Sequence, residues 1–175
     1  MNKPKTTSKS NDHKKIWNVF FCGTGGQGVL TASEIAGIAA MNAGYHVKKS
    51  EVHGMAQRGG SVESHLRFGN EIYSPLINPG EADFLIAFHS GEGKRMAGFL
   101  KKGGVSLVGY LENPQTQPSD KRFVNTFYLG ILSAYVPIPL EAWHDALQGK
   151  LKRFQKENLE AFDQGKNIGM SAKPA

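Results

Sequence analysis

The sequence predicts an α/β fold of the three-layer, Rossmann-like kind, with a mostly parallel sheet, an antiparallel edge hairpin and a helical C-terminus. Three observations predict this fold. An apolar run at 16–22 (IWNVFFC) ends at a glycine cluster, and a segment with helical spacing follows at 27–41. Two later apolar runs, 83–88 and 104–108, are typical of buried parallel strands. After residue 122 the apolar residues recur mainly at helical spacing.

The first elements along the chain predict a βαβ unit. Residues 16–22 form the first strand and residues 27–41 the helix, with Gly44 as its C-terminal cap. Residues 46–51 form the second strand, and the crossover between these two parallel strands should be right-handed. The helix should bury the small and apolar residues that recur at helical spacing, namely Ala32, Ile35, Ala36 and Ala39.

A hairpin is predicted after this unit. Residues 61–68 alternate between apolar and polar, and the apolar set is Val62, Leu66 and Phe68. Gly69 and Asn70 then supply a tight turn into a short strand at Ile72 and Tyr73. We expect this pair of strands to be antiparallel and to lie near an edge of the sheet.

For residues 83–162 the sequence predicts one helix between two strands, then a polar connection, then three closing helices. Residues 93–101 should be helical and join the strands at 83–88 and 104–108. The proline-bearing segment 110–122 should be a loop. The closing helices are predicted at 126–135, 140–147 and 150–162, the last with a buried stripe of Leu151, Phe154 and Phe162.

Length and charge predict one domain with a charged tail. The 175 residues are 39% hydrophobic, which suffices for one core, and we expect that core within 16–165. Residues 1–15 should form a disordered basic tail and residues 166–175 a flexible tail. The basic tail has five lysines against one aspartate, so it carries +4 of the formal net charge of +6. Because the charge is concentrated there, we do not expect a nucleic-acid binder.

The sequence also bears on membrane spans, disulfides and iron–sulfur clusters. No apolar run approaches the roughly 20 residues that span a bilayer, so we expect a cytoplasmic protein without a membrane segment. The single cysteine, Cys22, excludes an internal disulfide. It also excludes an iron–sulfur cluster bound by this chain alone, because such clusters are held by sets of cysteine thiolates.

The first candidate site is the glycine-rich segment GTGGQG, whose residues of interest are Gly23, Gly25, Gly26, Gln27 and Gly28. It has the GxGxxG spacing between a strand and a helix, where backbone N–H groups and the helix dipole favour an anion. Glu51 stands roughly where a Rossmann protein places the acid that holds a ribose. Two interpretations stay open: a dinucleotide site, or glycines that allow the helix to pack tightly on the strand.

The second candidate site follows the predicted second strand and contains His53, Gln57, Arg58, Gly59 and Gly60. Ligands of open parallel sheets bind at the carboxyl ends of strands, so this segment should meet the first site. The guanidinium of Arg58 offers a planar fork for a carboxylate, a phosphate or a partner backbone, or it forms an ion pair with Glu51. His53 is either a proton carrier or a hydrogen-bonded turn residue.

Together these segments resemble a known family. GTGGQGVLTASEIAGIAA, then SEVHGMAQRGGSVESHLRFG, then YSPLI are similar to the gamma-type domain of pyruvate and other 2-oxoacid:ferredoxin oxidoreductases. The HGMAQRGG form resembles that of the indolepyruvate enzyme. NTFYLGILSAYVPIPLEAW and KENLEAF resemble the family's closing helices, so the resemblance covers most of residues 17–165.

The resemblance implies a subunit that carries no catalytic cofactor and is inactive alone. In this family thiamine diphosphate, Mg and iron–sulfur clusters serve oxidative decarboxylation of a 2-oxoacid to an acyl-coenzyme A, with electrons passed to ferredoxin. This chain lacks the GDG segment that anchors thiamine diphosphate, so these groups are expected in a large partner subunit. Coenzyme A is a possible shared ligand. The positions that match the family are those named at the two candidate sites, apart from Glu51.

One departure from the family pattern concerns the connection at 110–122. Family members carry a longer stretch there, with a further strand and helix. In HSGEGKR, residues 89–95, Glu92 and Arg95 are kept, but glycines stand where a helix start is expected. The alternative function is a stand-alone Rossmann-type dinucleotide-binding module, for which the HGMAQRGG segment has no evident use.

Overall fold

The chain folds around one five-stranded sheet. A computed structural model describes residues 16–54 and 59–172. The strands are β1 Ile16–Thr24, β2 His46–His53, β3 Ser61–Gly69, β4 Ala82–Ala87 and β5 Leu100–Ser106. The helices are α1 Val29–Asn42, α2 Ser90–Arg95, α3 Val124–Ser133, α4 Leu140–Lys150 and α5 Gln155–Ala172. An α/β architecture, as predicted, is confirmed.

The sheet is mixed, with strand order β2-β3-β1-β4-β5. Strand β3 is antiparallel to both β1 and β2, whereas β4 is parallel to β1 and β5 to β4. Four strands therefore run in one direction, but only two of the four strand pairings are parallel, so the predicted mostly parallel sheet is present only in part. Their pairing differs from the prediction, because β3 separates the two strands of the βαβ unit.

The predicted hairpin partner at Ile72 and Tyr73 does not form a strand. β3 is already paired along its length with β1 on one side and β2 on the other, so it is not an edge strand and has no free edge to offer. The buried Ile72 instead donates its N–H to Nδ1 of His46 at 3.0 Å. Residues 71–81 thus form an irregular segment with a turn at 79–80, and the N–H of Ile77 donates to Nδ1 of His65 in β3 at 3.0 Å.

The two faces of the sheet carry unequal layers. Val19 and Phe21 of β1 point into the main core, which α1, α3, α4 and α5 cover. Phe20 and Cys22 point to the opposite face, where a smaller cluster is covered by the segment 71–81, α2 and a short 3₁₀ turn at 97–99. The Rossmann-like, three-layer arrangement is therefore present only in part, because all the long helices lie on one side.

Helix α1 agrees with the sequence prediction. Its predicted core residues Ala32, Ile35, Ala36 and Ala39 are all buried. Gly44 has φ +86° and ends the helix with two bonds, from its own N–H to the carbonyl of Met41 and from the N–H of Tyr45 to that of Ala40. Only glycine adopts this left-handed conformation without strain, so Gly44 stops the helix as predicted.

The later elements are shifted from their predicted bounds. The helix predicted at 93–101 is the shorter α2, the strand predicted at 104–108 begins earlier as β5, and the connection 110–122 contains short 3₁₀ turns. The last helix begins at Gln155, so Phe154 lies outside it and is 52% exposed. The predicted buried stripe is wrong at Phe154.

The C-terminal segment continues as helix α5 to Ala172, whereas we expected a flexible tail from 166. Gly165 and Gly169 are buried against α3, and this packing holds the last turns in helical form. The basic tail predicted at 1–15 lies outside the described residues. Within the described part of the chain, no helix is both long and apolar enough to cross a membrane.

Candidate functional site

The candidate site lies at the carboxyl edge of the sheet, where β1 and β4 end side by side. Strand β1 leads into α1 on one face, and β4 leads into α2 on the other. When the helices after two adjacent parallel strands take opposite faces, a crevice opens between the strand ends. The glycine loop, residues 23–28, occupies this crevice.

Gln27 braces the glycine loop from within. Its Oε1 accepts a hydrogen bond of 2.7 Å from the N–H of Thr24, and its Nε2 donates one of 2.8 Å to the carbonyl of Phe88. The N–H of Gln27 donates to the carbonyl of Thr24 at 3.2 Å. Gln27, predicted to bind a cofactor, thus joins β1 to the end of β4. Both polar atoms of its side-chain amide are hydrogen-bonded to the backbone.

Two glycines of the loop lie close to neighbouring side chains. A Cβ on Gly23 would stand 2.8 Å from both Oε1 of Gln27 and Cγ2 of Val29. A Cβ on Gly28 would stand 2.7 Å from Nδ2 of Asn125, and Gly28 also has φ +79°. The contact of Gly23 with Val29 of α1 supports the interpretation of tight helix–strand packing, whereas Gly28 meets the end of a side chain of α3. Gly26 has φ +95° and open space around it, so only its backbone conformation favours glycine.

The start of α1 can accept an anion. Its N-cap residue is Gly28, and no side chain caps it within the described structure. The first N–H groups of a helix have no partner inside the helix. Val29, Leu30 and Thr31 of this first turn line a cleft of about 610 Å³, which we call the front cleft. A carboxylate or phosphate placed there would meet backbone donors and the positive end of the helix dipole.

The two candidate segments meet, as predicted. The N–H of Gly25 donates to the carbonyl of Gly60 at 2.9 Å, and the N–H of Gly54 donates to the carbonyl of Ser61 at 2.9 Å. The first bond joins the glycine loop to the second segment directly. Gly59, with φ +73°, adjoins this contact. Gln57 and Arg58 lie outside the described residues, so their roles stay predictions.

Glu51 and His53 lie on the same face of β2. The carboxylate of Glu51 contacts Nζ of Lys49 at 2.5 Å and Nε2 of His53 at 3.4 Å. The hydrogen bond from Lys49 holds the pKa of Glu51 below its usual range, and His53 adds to this effect. His53, about half exposed, lines the front cleft together with Gly54. In a Rossmann site the acid stands on the strand next to the glycine loop, whereas here β3 lies between β1 and Glu51.

A second cleft of about 350 Å³ lies on the other side of the glycine loop. Gly26 and Gly28 border both clefts, and Lys121, Arg122 and Asn125 complete this one. The guanidinium of Arg122 is engaged by both carboxylate oxygens of Asp120. Sequence reasoning missed these residues, because they stand about a hundred positions after the loop. The basic pair at 121–122 was the one available signal.

Four side chains form a hydrogen-bonded ion cluster behind the second segment. Ser61 Oγ donates to Oε2 of Glu92 at 2.7 Å, and Nη2 of Arg95 donates to Oε2 of Glu92 at 2.7 Å and to Oε1 of Glu63 at 3.0 Å. Nη2 of Arg95 also donates to Oγ of Ser61. The bonds from Arg95 and Ser61 lower the pKa of Glu92, and Glu92 raises that of Arg95. Only family resemblance pointed to Glu92 and Arg95, and no pattern pointed to the cluster.

Cys22 does not suit metal binding. It is fully buried, and burial, followed by the nearby Glu92 and Glu63 carboxylates, raises the pKa of its thiol to about 12. Metals and clusters are held by the thiolate form, which this environment disfavours. Over the described ranges, no three His, Cys, Asp or Glu side chains gather closely enough to hold a metal ion.

Comparison with known proteins identifies relatives of this chain. It is similar to the indolepyruvate oxidoreductase subunit IorB of Pyrococcus horikoshii, with 43% identity over 105 residues. That match covers 60% of this chain and 52% of the relative, and the one to the Thermococcus kodakarensis subunit covers the same shares, so the matched part spans about half of these relatives. The IorB subunit of Archaeoglobus fulgidus is 32% identical over 197 positions, covering 90% of this chain and 98% of the relative.

The alignment with the Archaeoglobus fulgidus subunit has more positions than this chain has residues, 197 against 175. Residues of that relative therefore stand opposite gaps in this chain. The shortened connection at 110–122, expected from the family resemblance, stays a prediction.

Solved structures share the fold. The gamma subunit of keto/oxoacid ferredoxin oxidoreductase from Geobacter sulfurreducens has a TM-score of 0.72 at 23% identity, covering 89% of this chain and 99% of that one. 2-Oxoglutarate:ferredoxin oxidoreductase from Magnetococcus marinus has a TM-score of 0.77 at 20% identity, covering 93% of this chain and 32% of that one. The family model for pyruvate ferredoxin/flavodoxin oxidoreductase matches residues 18–121, more than half of the sequence. The chain therefore belongs to the pyruvate ferredoxin/flavodoxin oxidoreductase family.

Proposed function

We propose that this chain is the subunit without catalytic cofactors of a 2-oxoacid:ferredoxin oxidoreductase, with indolepyruvate as its 2-oxoacid. The complex would oxidatively decarboxylate the 2-oxoacid to an acyl-coenzyme A and pass the electrons to ferredoxin. The observation that carries this proposal is the match to the Archaeoglobus fulgidus subunit, since it covers 90% of this chain and 98% of that relative. The substrate assignment follows the indolepyruvate oxidoreductase subunits to which this chain is similar.

The buried cysteine of this chain supports this division of labour between subunits. Its one cysteine is buried as a neutral thiol, which is a poor ligand for a cluster. Thiamine diphosphate, Mg and the iron–sulfur clusters would be bound by a large partner subunit and supply the decarboxylation and electron transfer there. The residues of this chain would bind and orient the partner, and the chain alone would not turn over substrate.

The docking surface would be the carboxyl edge of the sheet. There the hydrogen bond between Gly25 and Gly60 holds two glycine-rich segments side by side. Glycines expose backbone N–H and C=O groups and let another backbone approach closely. We place the interface or anion contacts at His53, Gln57, Arg58, Gly59 and Gly60, with the glycine loop beside them.

Coenzyme A is the ligand that such an edge would share with the partner. The uncapped start of α1 offers backbone donors to a phosphate in the front cleft. Lys121 and Arg122 border the second cleft on the other side of the same loop. Gly23, Gly25, Gly26, Gln27 and Gly28 would then shape the loop between the clefts, while Glu51 would orient His53.

Coexpression with a candidate large subunit tests the function. Native mass spectrometry should show a complex that contains both chains. The complex should reduce ferredoxin when indolepyruvate and coenzyme A are added, and each chain alone should not. Pyruvate and 2-oxoglutarate serve as competing substrates, and preference for either would overturn the indolepyruvate assignment alone. Absence of both a complex and 2-oxoacid-dependent reduction would overturn the function.

Arg58 provides a sharper test of the interface. Replacement of Arg58 by Ala should weaken the affinity for the large subunit by about 10- to 100-fold, since charge-assisted bonds contribute roughly 1.5–3 kcal/mol. Arg58→Lys should recover only part of this loss, because lysine lacks the bidentate fork. Arg153→Ala, at an exposed position between α4 and α5, is the matched control. Unchanged affinity in Arg58→Ala would remove this residue from the interface.

Titration with NAD distinguishes the proposal from a stand-alone dinucleotide module. Because β3 lies between β1 and β2, the strand that carries Glu51, the strand order disfavours the ribose-binding arrangement of a Rossmann site. We expect no calorimetric signal with NAD. A signal that Gly28→Glu abolishes would favour the dinucleotide module instead.

A further inference from the structure

The ion cluster consists of Ser61, Glu63, Glu92 and Arg95. One of its members, Ser61, directly follows Gly60 of the second candidate site. The hydroxyl of Ser61 donates to Glu92 and accepts from Arg95, and the carbonyl of Ser61 accepts from the N–H of Gly54. Its hydrogen-bonding groups therefore reach α2 on one side and the end of β2 on the other. Ser61 is also the first residue of β3.

The cluster acts from the face of the sheet opposite the front cleft. The side chains of Glu63 and Cys22 belong to paired residues of β3 and β1, on the face that α2 covers. In front, the carbonyl of Gly60 accepts from the N–H of Gly25 in the glycine loop. On the side of the front cleft the glycine loop thus binds the carbonyl of Gly60. On the opposite face Arg95 binds the side chain of Ser61.

Ser61 follows two consecutive glycines, and glycine has the largest backbone freedom of any residue. Gly59 has a positive φ and no neighbour that a side chain would meet, so packing does not restrain it. Backbone hydrogen bonds from Gly25 to Gly60 and from Gly54 to Ser61 restrain the start of β3. The cluster adds a restraint through the side chain of Ser61.

Two ion pairs hold the cluster together. One guanidinium bridges two carboxylates that come from different elements, Glu63 from β3 and Glu92 from α2. Both carboxylates are largely covered, with side-chain exposures of 16% and 17%, whereas Arg95 is half exposed. Because the guanidinium of Arg95 is half exposed, solvent screens its ion pairs, so their contribution to global stability should be small and the effect of the cluster local.

We propose that Arg95 is a positioning residue, which through Glu92 and Ser61 keeps the start of β3 against the glycine loop in the arrangement that the partner subunit recognises. The inference rests on the proposed function for its docking role. Its structural part, the anchoring of residues 60 and 61, concerns this chain alone. Fixing a binding surface in advance lowers the entropic cost of association.

Hydrogen exchange of the Gly25 and Gly54 amides tests the anchoring in the chain by itself. In Arg95→Met both amides should exchange about 10-fold faster or more, while the melting temperature and the exchange of β4 amides stay close to the wild type. Ser61→Ala should reproduce the effect, and Ser61→Thr, which keeps the hydroxyl, should largely restore the wild-type rates. Lys94→Met is the matched control, because Lys94 lies on the same short helix and is largely exposed.

The docking role is tested by the dissociation constant for the large subunit, which should rise about 10-fold in Arg95→Met and not in Lys94→Met. The dissociation constant of Arg95→Lys should lie between those of these two variants, because a single ammonium replaces the planar guanidinium fork. Unchanged exchange at Gly25 and Gly54, or an equal rise throughout the sheet, would overturn the anchoring. Faster local exchange with unchanged affinity would overturn the docking role. Failure of the wild-type chain to bind would overturn the proposed function, and the exchange measurement would still decide the anchoring.

Discussion

Gly165 of α5 lies so close to the carbonyl group of Phe127 in α3 that a Cβ atom on Gly165 would overlap with the carbonyl oxygen. The contact is reciprocal, because a Cβ on Gly130 of α3 would overlap with the carbonyl oxygen of Phe162 in α5. Two helices approach this closely only where side chains are absent. This crossing places α5 over α3 and completes the main core on which the start of α1, and hence the glycine loop, is supported.

Gly165→Ala should therefore destabilise the protein. The added methyl group meets backbone on the facing helix, which cannot move aside as a side chain could, so we expect a loss of about 3 kcal/mol in the free energy of unfolding. Gly149→Ala is the matched control, since Gly149 lies in α4 and has no neighbour within 4 Å of a Cβ. There alanine should add about 0.5–1 kcal/mol through its higher helix propensity. Urea unfolding measures both, and equal effects would contradict the close crossing.

Gly23→Ala should disturb the brace within the glycine loop. Its methyl group would displace Oε1 of Gln27, which accepts from Thr24, or the stiff side chain of Val29. We expect a loss of about 1–3 kcal/mol in the free energy of unfolding. Gly98→Ala, with open space around the Cβ, should change stability by less than about 0.5 kcal/mol. If urea unfolding showed no difference between the two variants, the packing assigned to Gly23 would be wrong.

His65 should make stability dependent on pH. It is buried, its Nδ1 accepts from the N–H of Ile77 at 3.0 Å, and burial lowers its pKa from the model-compound value of 6.5, although Glu63 opposes this. Below pH 6.5 the unfolded chain then binds more protons than the folded one. The contribution of His65 is fully present above about pH 6.5 and declines as the pH falls towards its lowered pKa.

Urea unfolding of the wild type and His65→Asn between pH 5 and pH 8 (about the range in which an ordinary histidine titrates) measures this contribution. The asparagine amide oxygen can accept from Ile77 without titrating, so the variant should show a flatter dependence in this range. Parallel curves for the two proteins would contradict the assignment.

Cys22 should resist alkylation in the native protein. The pKa of its thiol is raised to about 12 and its side chain is fully buried, so both the thiolate population and access are low. At pH 8 iodoacetamide should label the native chain at least about 100-fold more slowly than the chain unfolded in urea. Mass spectrometry measures both rates. Comparable rates would show that the smaller cluster behind β1 opens readily.

Sequence patterns anticipated much of the framework because they reflect local interactions. Helical spacing of small residues predicted α1, and Gly44 predicted its end, since both depend on contacts within a few residues. The prediction that the two glycine-rich segments meet was confirmed by the bond between Gly25 and Gly60. It rested on the general placement of ligand sites at strand ends, and the roles of the residues there stay predictions.

The sequence by itself determined that this is an α/β chain of the pyruvate ferredoxin/flavodoxin oxidoreductase family, because its helical periodicity and motifs are properties of neighbouring residues. The tertiary structure alone decided that β3 pairs between β1 and β2, that Glu51 is thereby separated from the glycine loop, and that Arg95 reaches Ser61. Strand order and such contacts depend on backbone pairing and packing between residues distant in the sequence. Local periodicity specifies which face of an element is buried, but not which element it meets.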